Sequence, residues 1–154
     1  SPNHAVDNAG PTEVLLLSFS QNVLLTRFMI GWRQTDSDLS LVRWTGNAAP
    51  TVTGNTIAGL IGGPWDLANH YADAPADQYV NTGLTPSQAS RWWIVSAFDP
   101  GWGAKNWTAD NDYFKFLKVT SETVVPPQEV PEPGSIALLA LGMAGLAIMR
   151  RRRT

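Results

Sequence analysis

Gly134 to Met149 is a run of sixteen residues without a charge, followed at once by Arg150, Arg151, Arg152 and Arg153. A helix packed on a globular core keeps a polar face, whereas this run is apolar all round. As a helix it would span about 24 Å, at about 1.5 Å per residue, against a hydrocarbon layer of roughly 30 Å. Arginine stems can cover that shortfall while their guanidinium groups stay in the polar layer. A basic cluster beside an apolar segment also marks the cytoplasmic end. Residues 132–154 therefore read as one C-terminal transmembrane helix with a stop-transfer cluster at Arg150 to Arg153, and the residues before them as exported.

The chain divides by composition into three parts: a domain at 1–120, a Pro-rich linker at 121–131 and the tail at 132–154. The linker, Ser-Glu-Thr-Val-Val-Pro-Pro-Gln-Glu-Val-Pro, has three prolines in eleven residues and no aromatic side chain. Proline removes backbone donors and favours extended geometry, so this segment reads as a semi-rigid spacer.

Within the domain, short apolar runs at Val14 to Phe19, Val23 to Trp32, Leu39 to Trp44, Arg91 to Phe98 and Tyr113 to Val119 are rich in aromatic and β-branched residues. A weaker run covers Trp65 to Tyr71. Such residues suit a pleated, half-buried surface. Turn residues separate the runs at Thr45-Gly46-Asn47, Thr53-Gly54-Asn55, Gly62-Gly63-Pro64, Thr82-Gly83 and Asp99-Pro100-Gly101. No segment keeps a 3.6-residue apolar period for three turns, although Pro86 to Arg91 fits one helical turn capped by Thr85. The pattern predicts an all-β fold, a single antiparallel β-sandwich of jelly-roll type.

Residues before Gly134 hold seven basic and thirteen acidic side chains. That balance repels polyphosphate, so nucleic acid is not an expected partner. The chain has no cysteine, which removes disulfides, thiolate metal sites and a cysteine nucleophile. It starts at Ser-Pro-Asn-His, and the export reading expects a signal upstream, either removed or missing from a truncated beginning.

Val130-Pro131-Glu132-Pro133, the apolar run rich in Gly, Ala and Leu, and the closing arginines resemble the PEP-CTERM sorting signal of exosortase substrates. The resemblance implies recognition and processing by an integral-membrane exosortase. It further implies a Gram-negative host that makes exopolysaccharide, with the protein passing transiently through the inner membrane to the cell surface or extracellular matrix. A second resemblance, to one family of exosortase-dependent surface proteins, rests on the block Ser1 to Asn8 with His4, Asp7 and Asn8. It continues through Val14 to Phe19, Ile30-Gly31-Trp32, Asp36-Ser37-Asp38 and Asp112-Tyr113-Phe114-Lys115. Members of that family normally begin upstream of this block, and the likeness implies a location without a chemistry.

Chemistry is sparse. His4 and His70 are the two histidines, and neither has a second ligand at metal or base spacing. No nucleophile elbow or phosphate-cradling glycine loop is present. The expectation is a protein that is not an enzyme and needs no cofactor. Asp36-Ser37-Asp38 and Asp110-Asn111-Asp112 each set two carboxylates one residue apart, which makes Asp36, Asp38, Asp110 and Asp112 candidate calcium ligands. The other reading of these four is solvated turn acids. Among seven tryptophans, Trp102 and Trp107 sit in a Gly/Asn-rich loop, where indoles could stack on sugar rings or pack into the fold. In a strand, neighbouring Trp92 and Trp93 must face opposite ways. The expected role is a non-enzymatic structural or adhesive envelope component. The alternative is a carbohydrate-binding module contacting exopolysaccharide through exposed tryptophans.

Overall fold

The computed structural model describes residues 4–124. Seven strands form one antiparallel sheet: β1 (Val6–Asp7), β2 (Val14–Thr35), β3 (Leu39–Trp44), β4 (Trp65–Tyr71), β5 (Val80–Asn81), β6 (Ser90–Ala97) and β7 (Asp112–Thr123). Their order is β1-β7-β2-β6-β3-β4, with β5 paired to β2 beside that path. Among the described residues, helix is confined to α1 (Ile57–Leu60), capped by the Thr56 hydroxyl, and a 3-10 turn at Pro86–Gln88 behind Thr85. The all-β antiparallel expectation holds.

The sheet is continuous, where the sequence suggests two sheets laid face to face. The reason is β2. Its two apolar runs, Val14 to Phe19 and Val23 to Trp32, join into a single 22-residue strand with no turn at Ser20-Gln21-Asn22. The first part pairs with β6 and the second with β7. Ser18 opposes Trp92 and Val23 opposes Ser90, so the stretch Phe19 to Asn22 answers Arg91 alone. An excess of residues on one strand bends it and increases its twist. β2 therefore turns the corner and carries β7 over the face of β6 and β3.

Between the folded halves lies the main core. Leu25, Phe28 and Ile30 of β2 meet Leu39 and Leu41 of β3, Trp93, Val95 and Ala97 of β6, and Phe114 of β7. The spacing 25, 28, 30 breaks the two-residue period of a regular strand. The register shift between Leu25 and Arg27, where Thr26 is the extra residue of β2, restores these side chains to one face. A second core occupies the opposite face of β3 and β6: Val42 and Ile94 are covered by Leu60, Trp65 and Trp102. Burial on both faces explains why Trp93 to Ala97 is a continuous buried run without polar alternation, with Ser96 as its one hydroxyl.

β7 continues to Thr123, with Ser121, Glu122 and Thr123 opposite Leu25, Leu24 and Val23. The first residues of the segment read as linker are thus strand. Their side chains are polar and exposed, which conceals the pairing from composition. Contacts divide the chain into Ser1–Val124 and Val125–Thr154. The expected transmembrane helix lies outside the described residues, among which no helix is long and apolar enough to cross a membrane.

Candidate functional site

Two aspartate pairs far apart in sequence converge where β2 ends and β3 and β7 begin. Carboxylate oxygens of Asp36, Asp38 and Asp112 lie within 4.8 Å of one another. Asp110 does not join them; it stands exposed, with φ +71°. The cluster is fastened by Asn8. Its amide nitrogen donates to Asp112 Oδ2 (2.7 Å) and to the Phe98 carbonyl (2.8 Å), and its Oδ1 accepts the Asp112 backbone N–H (2.9 Å). Asp112 Oδ1 accepts the Asp38 N–H at 2.7 Å, and Asp38 Oδ1 accepts the Asp73 N–H at 2.7 Å.

Burial pushes the Asp112 carboxyl up to about 7, against the lowering effect of the N–H donors from Asp38 and Asn8; the charges of Asp38 and Asp36 add to the rise. Asp38 is raised as well, first by burial, with Asp36 and Asp73 contributing repulsion. Calcium takes six to eight oxygens. Here the carbonyls of Asp36, Ser37 and Asp38 already accept backbone N–H groups of Tyr113, Ala74 and Phe98. The three carboxyls supply the remaining oxygens, several of them committed to protein donors. As an arrangement this is a hydrogen-bonded clasp that holds protons readily. Of the N-terminal block, Asn8 belongs to the clasp, the Asp7 carboxylate accepts the Ala9 N–H in a local turn (3.1 Å), and His4 is exposed.

His70 forms a second buried polar group. Ser40 Oγ lies 2.8 Å from its Nδ1, and Nε2 lies 3.0 Å from the Gly103 carbonyl. A carbonyl only accepts, so Nε2 carries the proton and Ser40 donates to Nδ1. Desolvation lowers the His70 pKa, with Lys105 adding to the effect. A serine beside a neutral histidine has the elements of a nucleophile and base. Ser40, however, is fully buried and sits mid-strand between Ser96 and His70. It has no face toward a substrate.

The tryptophans divide between core and surface. Trp102 is only 8% exposed and packs in the second core, so its indole is not offered to a glycan. Trp107 is half-buried and leans on Phe98 and His70, with ring centroids at 5.2 and 5.9 Å. Their loop is folded down over β3 and β4, where its indoles cover the His70 ring and the apolar face around Val42 and Ile94. Trp93 is fully buried, whereas Trp92 on the other face is half-exposed.

Trp92 and Trp44 instead line a polar cleft of about 480 Å³ together with Asn22, Asn47, Arg43 and Arg91. Ser90 joins the two tryptophans: its hydroxyl donates to the Trp44 carbonyl (2.7 Å) and accepts the Trp92 N–H (3.2 Å). Trp44 is further fixed by its Nε1 bond to the Ala48 carbonyl (2.8 Å) and by edge contact with Trp65 at 4.9 Å. Gly46 is required there, since a Cβ would come within 2.7 Å of the Trp44 ring. The readable signals were the Trp44 to Asn47 turn and the alternation across Trp92 and Trp93, but Asn22 lies a bend away in sequence. A larger cleft, about 690 Å³, runs between residues 10–16 and α1. Its charged group, Asp99, already accepts from Thr12 Oγ1 and the Gly101 N–H, both at 2.8 Å.

These features define an all-β domain followed in sequence by a C-terminal address. Residues 129–153 match the family model of the PEP-CTERM protein-sorting motif. The chain therefore carries a PEP-CTERM sorting signal, which marks an exported protein processed at the membrane by exosortase. Val130, Pro131, Glu132, Pro133 and Arg150 to Arg153 all fall within this match and lie outside the described residues. No curated protein and no solved structure matches the chain.

Proposed function

We propose that the protein is a non-enzymatic structural or adhesive component of the Gram-negative cell surface or matrix, delivered there by its sorting signal. The observation that carries this reading is the motif at residues 129–153, which follows a β domain in sequence. The tail inserts in the inner membrane as a helix, with Pro131-Glu132-Pro133 on the outer side and the arginines in the cytoplasm. The burial of Ser40 beside His70 supports a role without catalysis. The committed hydrogen bonds of the aspartate clasp support a fold complete without calcium.

Intact-mass analysis of the protein from hosts with and without exosortase tests the processing. A mass lacking the tail is expected only in the first; a full tail in both would make the helix a permanent anchor. For the role itself, deletion of the chain is expected to loosen the matrix while polysaccharide synthesis continues. Unchanged matrix cohesion would overturn the structural role. A second reading, a carbohydrate-binding module, is favoured by one observation: the cleft at Trp44 and Trp92, in place of Trp102 and Trp107.

A further inference from the structure

The described residues hold seven basic side chains, and their placement is systematic. Arg33 and Arg43 are paired, with Asp73 at 3.3 Å and Asp66 at 2.8 Å. Each of the other five lies near an aromatic ring: Arg27 and Lys118 at Tyr79, Lys115 at Trp32, Lys105 at Trp107 and Arg91 at Trp92. Of these five, Arg91 lines the cleft at Trp44 and Trp92. Its guanidinium carbon is 4.8 Å from the Trp92 ring centroid, and among the described residues it forms neither a hydrogen bond nor an ion pair.

We infer that the cleft between Trp44 and Trp92 binds an acidic saccharide, with Arg91 pairing the sugar's carboxylate. This rests on the carbohydrate-binding reading and narrows it to one site and one ligand class. Each part of the cleft matches a part of such a sugar. Indole walls suit the C–H faces of a pyranose ring. The amides of Asn22 and Asn47 each offer donors and an acceptor, as neighbouring hydroxyls require. An arginine matches a carboxylate in planar, bidentate geometry. Arg43 is already held by Asp66 and by the Ser87 carbonyl at 2.9 Å, so it shapes the wall and leaves the charge recognition to Arg91. Because the domain as a whole is acidic, attraction comes from this local cation and is screened over about 10 Å at 0.1 M salt.

The test is isothermal titration calorimetry on the full chain in detergent micelles, with oligogalacturonate and with a neutral cello-oligosaccharide of equal length. Oligogalacturonate is expected to bind, more weakly as salt rises. Arg91→Gln, at an exposed side chain, is expected to weaken it roughly tenfold, the loss of one charge-assisted pair. Trp92→Ala is expected to abolish binding and Trp107→Ala to leave it unchanged. Equal binding of the neutral oligomer, insensitive to Arg91→Gln, would overturn the acidic class and leave the glycan reading standing. Binding lost in Trp107→Ala but kept in Trp92→Ala would overturn the site. No heat with either sugar would overturn both the inference and the glycan reading.

Discussion

Asn8 shows how much one short side chain can hold when its polar atoms are all used. It is 2% exposed, and it ties the N-terminal block to Phe98 and Asp112, residues some ninety positions away or more. Asn8→Ala would leave the Asp112 carboxyl and the Phe98 carbonyl short of donors. The expected loss is about 2–3 kcal/mol, read from denaturant unfolding. Asp112 makes the fold pH-sensitive in a direction unusual for an aspartate. Its carboxyl titrates near 7 when folded and at the ordinary 3.8 when unfolded, so the folded state keeps a proton that the unfolded chain releases. This contribution is fully present below 3.8, declines as pH rises, and is gone above about 7. Asp38, also raised, acts in the same direction. The melting temperature is expected to fall across that window, and Asp112→Asn to flatten the fall while lowering stability at acid pH, because one amide N–H would face a donor. Millimolar calcium at neutral pH is expected to leave melting unchanged; a rise would return the cluster to a metal site. Half of this was legible in sequence. The Asp-x-Asp spacing marked three of the clustered acids, but nothing local separates Asp112 from Asp110, since only the ladder with β2 decides which one turns inward.

At the level of elements, the sequence pattern located every long strand while concealing how two of them continue. Turn residues announced themselves through Gly, Pro and Asn, which have local reasons to leave extended geometry. The bend in β2 has no such marker. Ser20-Gln21-Asn22 is polar in the way a turn is polar, yet the chain stays extended because β6 and β7 take its backbone on successive stretches. Likewise Ser121 to Thr123 looked like spacer because the apolar residues opposite, Val23 to Leu25, supply the burial. Hydrogen exchange separates these cases: amides paired with β2 up to Thr123 are expected to exchange more slowly than those of the Pro-rich segment beyond. Equal, rapid exchange from Ser121 onward would place the spacer where composition first put it.

On the scale of the whole chain, address and body are legible to different degrees for one reason. The sorting signal is read as a linear string, so its order and spacing are visible in 129–153 directly. A binding cleft is an agreement among residues that folding brings together. Seven tryptophans signalled that aromatic chemistry was present, but which of them faced solvent depended on two cores being filled first. Trp93 and Trp102 were taken by those cores, and Trp44 and Trp92 were left at the rim.

The position of β7 has a mechanical meaning. It is the last strand of the domain, and β2 pairs with it from Asp112 to Thr123, while β1 adds a second neighbour only at Tyr113 and Phe114. Tension applied at the C-terminal end, directed along this strand, meets the ladder from Thr123 to Asp112 as a shear in which many hydrogen bonds must yield together. The Asn8 clasp sits at the far end of that path and takes load last. A chain pulled along this axis would resist as a long lap joint resists, all along the seam with β2 at once, where a pull across the seam would peel it open one bond at a time.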